Sequence, residues 1–391
     1  MDAVLQNFFQ NVFEVSDLIL LFSALSLAFK LHNLPETALN YCDNIRLTPK
    51  GLAEEYYDKV EKLIELNSFM IHPISIEVLQ HLVLHAAKDF LDPSPEKILN
   101  LTRAIHYLDG IISEGSHSSA TPEEIWKLTM TLKNIDSLVC IFFQTSPFMQ
   151  KDIVEAQLVR LNNSFSETMF QKLLNSLCNQ GLAMYKSARY LSVEEYIHNV
   201  NENEVKISLL LMEIDLKAYT PQNPMSKIQC FFLKYVLWTL KVLLYQPVIT
   251  LSDEDFDKVQ LLKEKLAESL VYCFRLSMDS FQEICEVGAP SFFFFDTLKK
   301  IFSLLFCRNE KYSYRNELFE SMKLMKQLAL KIDLAYSLKI IDDLTTISNC
   351  VYQKDYTKAG DLGDFEAIDS EIDHFCEFLF SNFYENSFSS I

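Results

Sequence analysis

The chain has 391 residues, enough for one large or two ordinary domains, and 49% of them are hydrophobic. Its net charge is −18, with no run of Lys and Arg long enough to track a phosphate backbone, which argues against direct nucleic-acid binding. Seven glycines and 11 prolines set against 30 phenylalanines point to an all-α chain, because strands joined by tight turns need far more turn residues.

The first predicted helix covers roughly Val15 to His32 and breaks at Leu34-Pro35-Glu36. Its apolar run, Leu18 to Phe29, is too short to cross a bilayer and follows acidic rather than basic residues (Asp2, Glu14, Asp17). It therefore reads as a buried core helix of a soluble, intracellular protein. A second helix opens near Pro49-Lys50-Gly51 and sets Tyr56, Val60, Leu63 and Ile64 on one face. A third runs from Ile76 to Phe90 and stops at Asp92-Pro93-Ser94-Pro95; a fourth runs from Ile98 to Ile112 and ends in Glu114-Gly115.

His81, His85 and Asp89 recur at four-residue steps on the third helix, a spacing that can present metal ligands. Leu82 stands where a His-Glu-x-x-His site needs its glutamate, so these residues read as packing groups and no metal is expected. The nine cysteines (42, 140, 178, 230, 273, 285, 307, 350 and 376) never form a Cys-x-x-Cys pair, so no zinc cluster is expected; they read as reduced thiols. No phosphate loop, Gly-x-Ser-x-Gly turn or kinase signature appears, and the sequence offers no catalytic residues and no cofactor site.

The fifth helix is the most informative. Thr121 is a candidate N-cap, Pro122 occupies the first helical position, and Glu123 and Glu124 follow. Ile125, Leu128, Leu132, Ile135, Val139 and Phe142 then alternate in steps of three and four, which predicts one buried face. The helix ends at Thr145-Ser146-Pro147, and Lys151, Asp152 and Ile153 follow. The order Trp126, Asp136, Pro147, Asp152-Ile153 resembles the regulatory (middle homology) domain of fungal binuclear zinc-cluster transcription factors. In that family a tryptophan helix runs through an aspartate to a Gly-Arg-Pro-type turn and an Asp-Ile pair. Here Ser137 stands where an arginine usually follows the aspartate, and Thr145-Ser146 replaces Gly-Arg. That leaves Arg103, Arg160 or water to satisfy Asp136, or a position facing solvent. Tyr56-Tyr57, Glu77 with Gln80, and Arg103 to Ile105 precede the tryptophan helix in the family's order, so the resemblance spans residues 52–160.

Further on, Phe231 to Pro247 is a strongly apolar helix stopped by proline, similar to a later helix of the family. Ser291 to Cys307 carries four consecutive phenylalanines, which must face a core, a ligand cavity or a partner; core is the default. Residues 314–352 supply one or two amphipathic helices. After Lys358 there is no Lys or Arg, while acidic residues interleave with phenylalanines through 361–391. Such a segment suits folding on a partner, with Phe375, Phe378, Leu379, Phe380 and Phe383 as candidate coactivator-binding residues. A last helix docked on the chain's own core needs the same amphipathic pattern.

The resemblance implies a single large helical regulatory domain over residues 1–355, controlling an acidic-aromatic activation segment at 356–391, in the nucleus. Candidate partners are a transcriptional coactivator or complex subunits, a homo- or heterodimeric mate, and a small apolar ligand that favours one packing of the helices. No membrane is expected among them. The family's six-cysteine cluster, basic linker and coiled coil do not occur before Met1, so DNA contact is expected from a missing N-terminus or a partner. The competing reading is a helical scaffold or subunit of a nuclear or kinetochore complex with no activation role.

Overall fold

A computed structural model describes residues 15–31, 48–69, 76–91, 98–114, 121–143, 145–149, 168–187, 193–218, 225–250, 256–286, 289–306 and 315–331, together with Ile341 and Thr345. The helices are α1 (Val15–Leu31), α2 (Pro49–Phe69), α3 (Ile76–Leu91), α4 (Ile98–Glu114), α5 (Pro122–Phe143), α6 (Met169–Ser187), α7 (Val193–Ala218), α8 (Lys227–Tyr245), α9 (Phe256–Asp279), α10 (Phe281–Glu286), α11 (Pro290–Phe306) and α12 (Arg315–Ala329). A 3-10 turn, Gln246–Thr250, follows α8. No strand occurs among the described residues, so the chain is all-α as its composition implies.

Three helices start with one chemical device. At α5, the Thr121 N–H donates to Glu124 Oε2 (2.9 Å) while the Glu124 N–H donates to Thr121 Oγ1 (3.3 Å). Thr168 with Gln171 does the same before α6, and Ser226 with Gln229 before α8. Each pair satisfies two backbone donors that a helix start leaves orphaned, a contribution of ~1 kcal/mol per cap.

The chain divides into two compact units. In the first (residues 1–93, 97–240 and 280–289), α1 packs on α2 and α3, α3 packs on α4 and α5, and α4 also packs on α5. α5 in turn packs on α6, and α6 on α7. With three helices against it, α5 is buried on every side from Asn134 to Phe142, not along the single face that the apolar spacing predicts. Gly181 on α6 makes this approach possible, since a Cβ there would lie 2.4 Å from Ile141 Cδ1 and 2.9 Å from Leu240 Cδ2.

Lys227–Ile249 is long and apolar enough, by length and composition alone, to cross a membrane. Leu233, Val236, Leu237 and Leu240 within it are fully buried, which is the burial of a core helix.

In the second unit (residues 94–96, 241–279 and 290–391), α9 packs on α11, on α12 and on the 3-10 turn, and α11 packs on α12. Phe292, Phe293 and Phe294 are buried and Phe295 is half-buried, so the phenylalanine run serves the core. Burying such rings contributes ~1.5–3 kcal/mol each. Asp296 and Lys300, one turn apart on α11, are buried together as an ion pair. Of the one or two helices expected over residues 314–352, one spans Arg315–Ala329, and 332–352 lies outside the described residues apart from Ile341 and Thr345.

Candidate functional site

The site begins with the tryptophan helix. Trp126 is buried in the first turns of α5, and Asp136 is buried two turns before its end. The chain leaves α5, passes Pro147 and folds back along the helix. There Asp136 Oδ1 accepts the Phe148 N–H and Oδ2 accepts the Met149 N–H, both at 3.0 Å. Pro147 has no N–H of its own, so the next two amides supply the donors. Burial pushes the Asp136 carboxyl upward, and the two backbone hydrogen bonds pull against that shift.

The structure therefore brings Asp136 and the turn after Pro147 together, twelve residues apart in sequence for Phe148. Neither an arginine nor water need satisfy Asp136. Arg103 instead reaches Glu61, with Nη2–Oε2 at 3.3 Å and Nη1–Oε1 at 3.4 Å. The reason is geometric: Arg103 on α4 and Glu61 on α2 both flank α3, while the amides of residues 148 and 149 return directly onto Asp136. Asp152, Ile153, Phe375, Phe378, Leu379, Phe380, Phe383 and Arg160 lie outside the described residues.

A second polar cluster joins α1, α2, α3 and α4. The Ser23 hydroxyl donates to the Ile19 carbonyl (2.5 Å), and its oxygen lies 2.6 Å from His81 Nδ1, within hydrogen-bond distance. His81 Nε2 lies 3.6 Å from Glu61 Oε1. The neighbouring His81 ring holds the Glu61 carboxyl down to about 2; burial opposes this and Arg103 assists it. The His85 ring lies 4.4 Å from that of His81 and 4.7 Å from that of Tyr57. Burial, and then the Glu61 charge, raise the Tyr57 hydroxyl above its ordinary value.

Serine, imidazole and carboxylate here stand in the order of a nucleophilic triad. The surroundings do not suit one: the Ser23 hydroxyl is already engaged by the Ile19 carbonyl within its own helix. Ser23 and His81 are also fully buried. The arrangement ties α1 to α3 rather than presenting a nucleophile. Asp89, the third member of the four-residue series, accepts from Asn100 Nδ2 at 2.7 Å, and no metal-ligating group forms among the described residues.

Sequence reasoning singled out His81, His85 and Asp89, and Tyr57 only as part of the Tyr56-Tyr57 pair, but missed Ser23, Glu61 and Asn100. Ser23 had one available signal, a hydroxyl inside the most apolar stretch of α1. Cys178, also buried, has its thiol pushed up to about 12 by that burial, consistent with an inert core thiol.

Comparison with known proteins gives one kind of likeness. No family model matches the chain, and no solved structure matches it. Two Schizosaccharomyces pombe proteins, each described as an uncharacterized transcriptional regulatory protein, are similar to it. One is 26% identical over 310 residues, covering 78% of this chain and 55% of the relative. The other is 26% identical over 284 residues, covering 70% of this chain and 50% of the relative. The chain thus spans about half the length of the curated relatives it matches.

Proposed function

We propose that this chain is the helical part of a fungal transcription regulator of the zinc-cluster type, acting in the nucleus without enzymatic chemistry of its own. The observation that carries the coarse reading is the likeness, across most of the chain, to two proteins named as transcriptional regulatory proteins. The finer reading rests on the sequence order Trp126, Asp136, Pro147, Asp152-Ile153, and on the acidic-aromatic composition of 361–391. In this reading the helices restrain the acidic segment, and DNA contact comes from a further segment or from a partner.

Fusing residues 355–391 to an unrelated DNA-binding domain, beside the whole chain fused likewise, tests it in a fungal reporter strain. The tail alone is expected to activate strongly and the whole chain less. Changing Phe375, Phe378 and Phe383 to Ala is expected to abolish the signal without lowering the melting temperature of the whole chain. Silence from a well-expressed tail would move the assignment to a scaffold.

A further inference from the structure

α7 is apolar on two faces. Tyr196, Val200, Ile207 and Ile214 form one and are buried. Val205, Leu209, Met212 and Leu216 form the other and are 61%, 60%, 62% and 72% exposed. The second set advances by four, three and four residues, the spacing that keeps side chains in line along the seam between two paired helices. Four large apolar side chains in one exposed line form a contiguous patch rather than scattered single residues.

We propose that this ridge packs against the same ridge of a second copy of this chain, with the two α7 helices antiparallel about a two-fold axis between Leu209 and Met212. Reversal sets Val205 against Leu216 and Leu209 against Met212, so every apolar side chain meets another. The ridge is therefore self-complementary, as a two-fold interface requires.

The flanking charges choose the direction. Lys206 and Glu213 are both exposed and lie on one edge of the ridge, seven residues apart. Antiparallel pairing brings Lys206 of each copy beside Glu213 of the other, at both ends. Parallel pairing would set Lys206 beside Asn201 and Glu213 beside Ser208, with no ion pair. Lys206 now contacts Glu202 on its own helix at 2.6 Å, an exposed pair that costs little to exchange.

Charge also argues against the chain's own acidic segment as occupant. Residues 361–391 hold no Lys or Arg, and the exposed rim of the ridge includes Glu202 and Glu213. An acidic segment laid there would meet like charge. The ridge spans only ~17 Å, at 1.5 Å per residue, so the interface is small and the association weak and concentration-dependent.

Sedimentation of the whole chain over a wide concentration series tests the proposal. Wild type is expected to shift from monomer to dimer, and Leu209→Glu to remain monomeric with an unchanged helical signal, because Leu209 supports no core. Lys206→Glu and Glu213→Lys are each expected to weaken association about tenfold, since each sets like charges together at both ends. An equal mixture of those two variants is expected to recover it, because the mixed dimer has opposite charges at both ends. A wild type that stays monomeric throughout, or association untouched by Leu209→Glu, would overturn the proposal. Failure of the mixture to recover after both single variants weaken association would overturn the antiparallel arrangement. Protection of Met212 from oxidation in a monomer would instead assign the ridge to a segment of the same chain.

Discussion

Replacing Asp136 with Ala should release the turn after Pro147. The carboxylate accepts two backbone N–H groups at 3.0 Å, and hydrogen bonds to a charged acceptor contribute ~1.5–3 kcal/mol each. Relief from burying the carboxylate offsets part of that loss, leaving ~2–3 kcal/mol. Phe148 is 41% exposed, so the freed turn can lift into water, and the cost appears as local opening rather than global unfolding. At 1.4 kcal/mol per decade, hydrogen exchange at the Phe148 and Met149 amides should accelerate by roughly 30- to 100-fold. Asp136→Asn keeps one acceptor and turns an amide N–H toward the second backbone donor, so the Met149 or Phe148 amide alone should stay protected. Because burial raises the Asp136 carboxyl, its proton-linked stability is full below the unfolded carboxylate value and is lost as pH rises through the raised folded one. Wild type should therefore lose stability relative to Asp136→Asn across that window. Unchanged exchange at both amides in Asp136→Ala would refute the reasoning.

Glu61 should show the opposite pH dependence. Its carboxyl is lowered from the usual 4.5 to about 2, so its contribution is present above the usual value and disappears as pH falls toward about 2. Urea titrations should find wild type ~2 kcal/mol more stable than Glu61→Gln at neutral pH after allowance for partial solvent screening, and equal to it in strong acid; a difference that does not vary with pH would count against the linkage. At Gly181, an added methyl gains ~1 kcal/mol of helix propensity but meets the buried Ile141 at 2.4 Å. Overpacking costs ~1–3 kcal/mol, so Gly181→Ala should be net destabilising in thermal melts, and Ile141→Val in the same chain should recover part of the loss.

The helix pattern was largely legible, because apolar spacing and proline stops are local. The sequence places helix starts at Val15, Ile76 and Ile98, and the structure has helices beginning at each. The starts of α6 and α8 carry equally local signals, Thr168 with Gln171 and Ser226 with Gln229. What periodicity could not supply was neighbours. Leu132, Ile135, Val139 and Phe142 announced one buried face of α5, but Asn134, Asp136 and Ser137 are buried too, because helices arrive from elsewhere in the chain. The same limit hid the partner of Asp136. An arginine is the natural sequence-level guess for a buried carboxylate, whereas a pair of amides carries no signature in the sequence.

The polar contacts of the first unit share one logic. Apolar ridges between helices tolerate sliding, whereas a buried hydrogen bond is satisfied in a single register. Ser26 Oγ donates to the Ala53 carbonyl between α1 and α2 (2.8 Å), and Ser23 meets His81 between α1 and α3. Arg103 meets Glu61 between α4 and α2, and Asn100 meets Asp89 between α4 and α3. Gln180 donates to Asn203 Oδ1 between α6 and α7 (2.6 Å). Each tie joins helices whose apolar faces alone would leave the register open. The outward ridge of α7 has no such group in line, since Val205, Leu209, Met212 and Leu216 are all apolar. Its register must then come from the edge, where Lys206 and Glu213 are the charges placed to set it. That is why exchanging those two charges between copies, rather than truncating the apolar residues, is the sharper probe of what α7 meets.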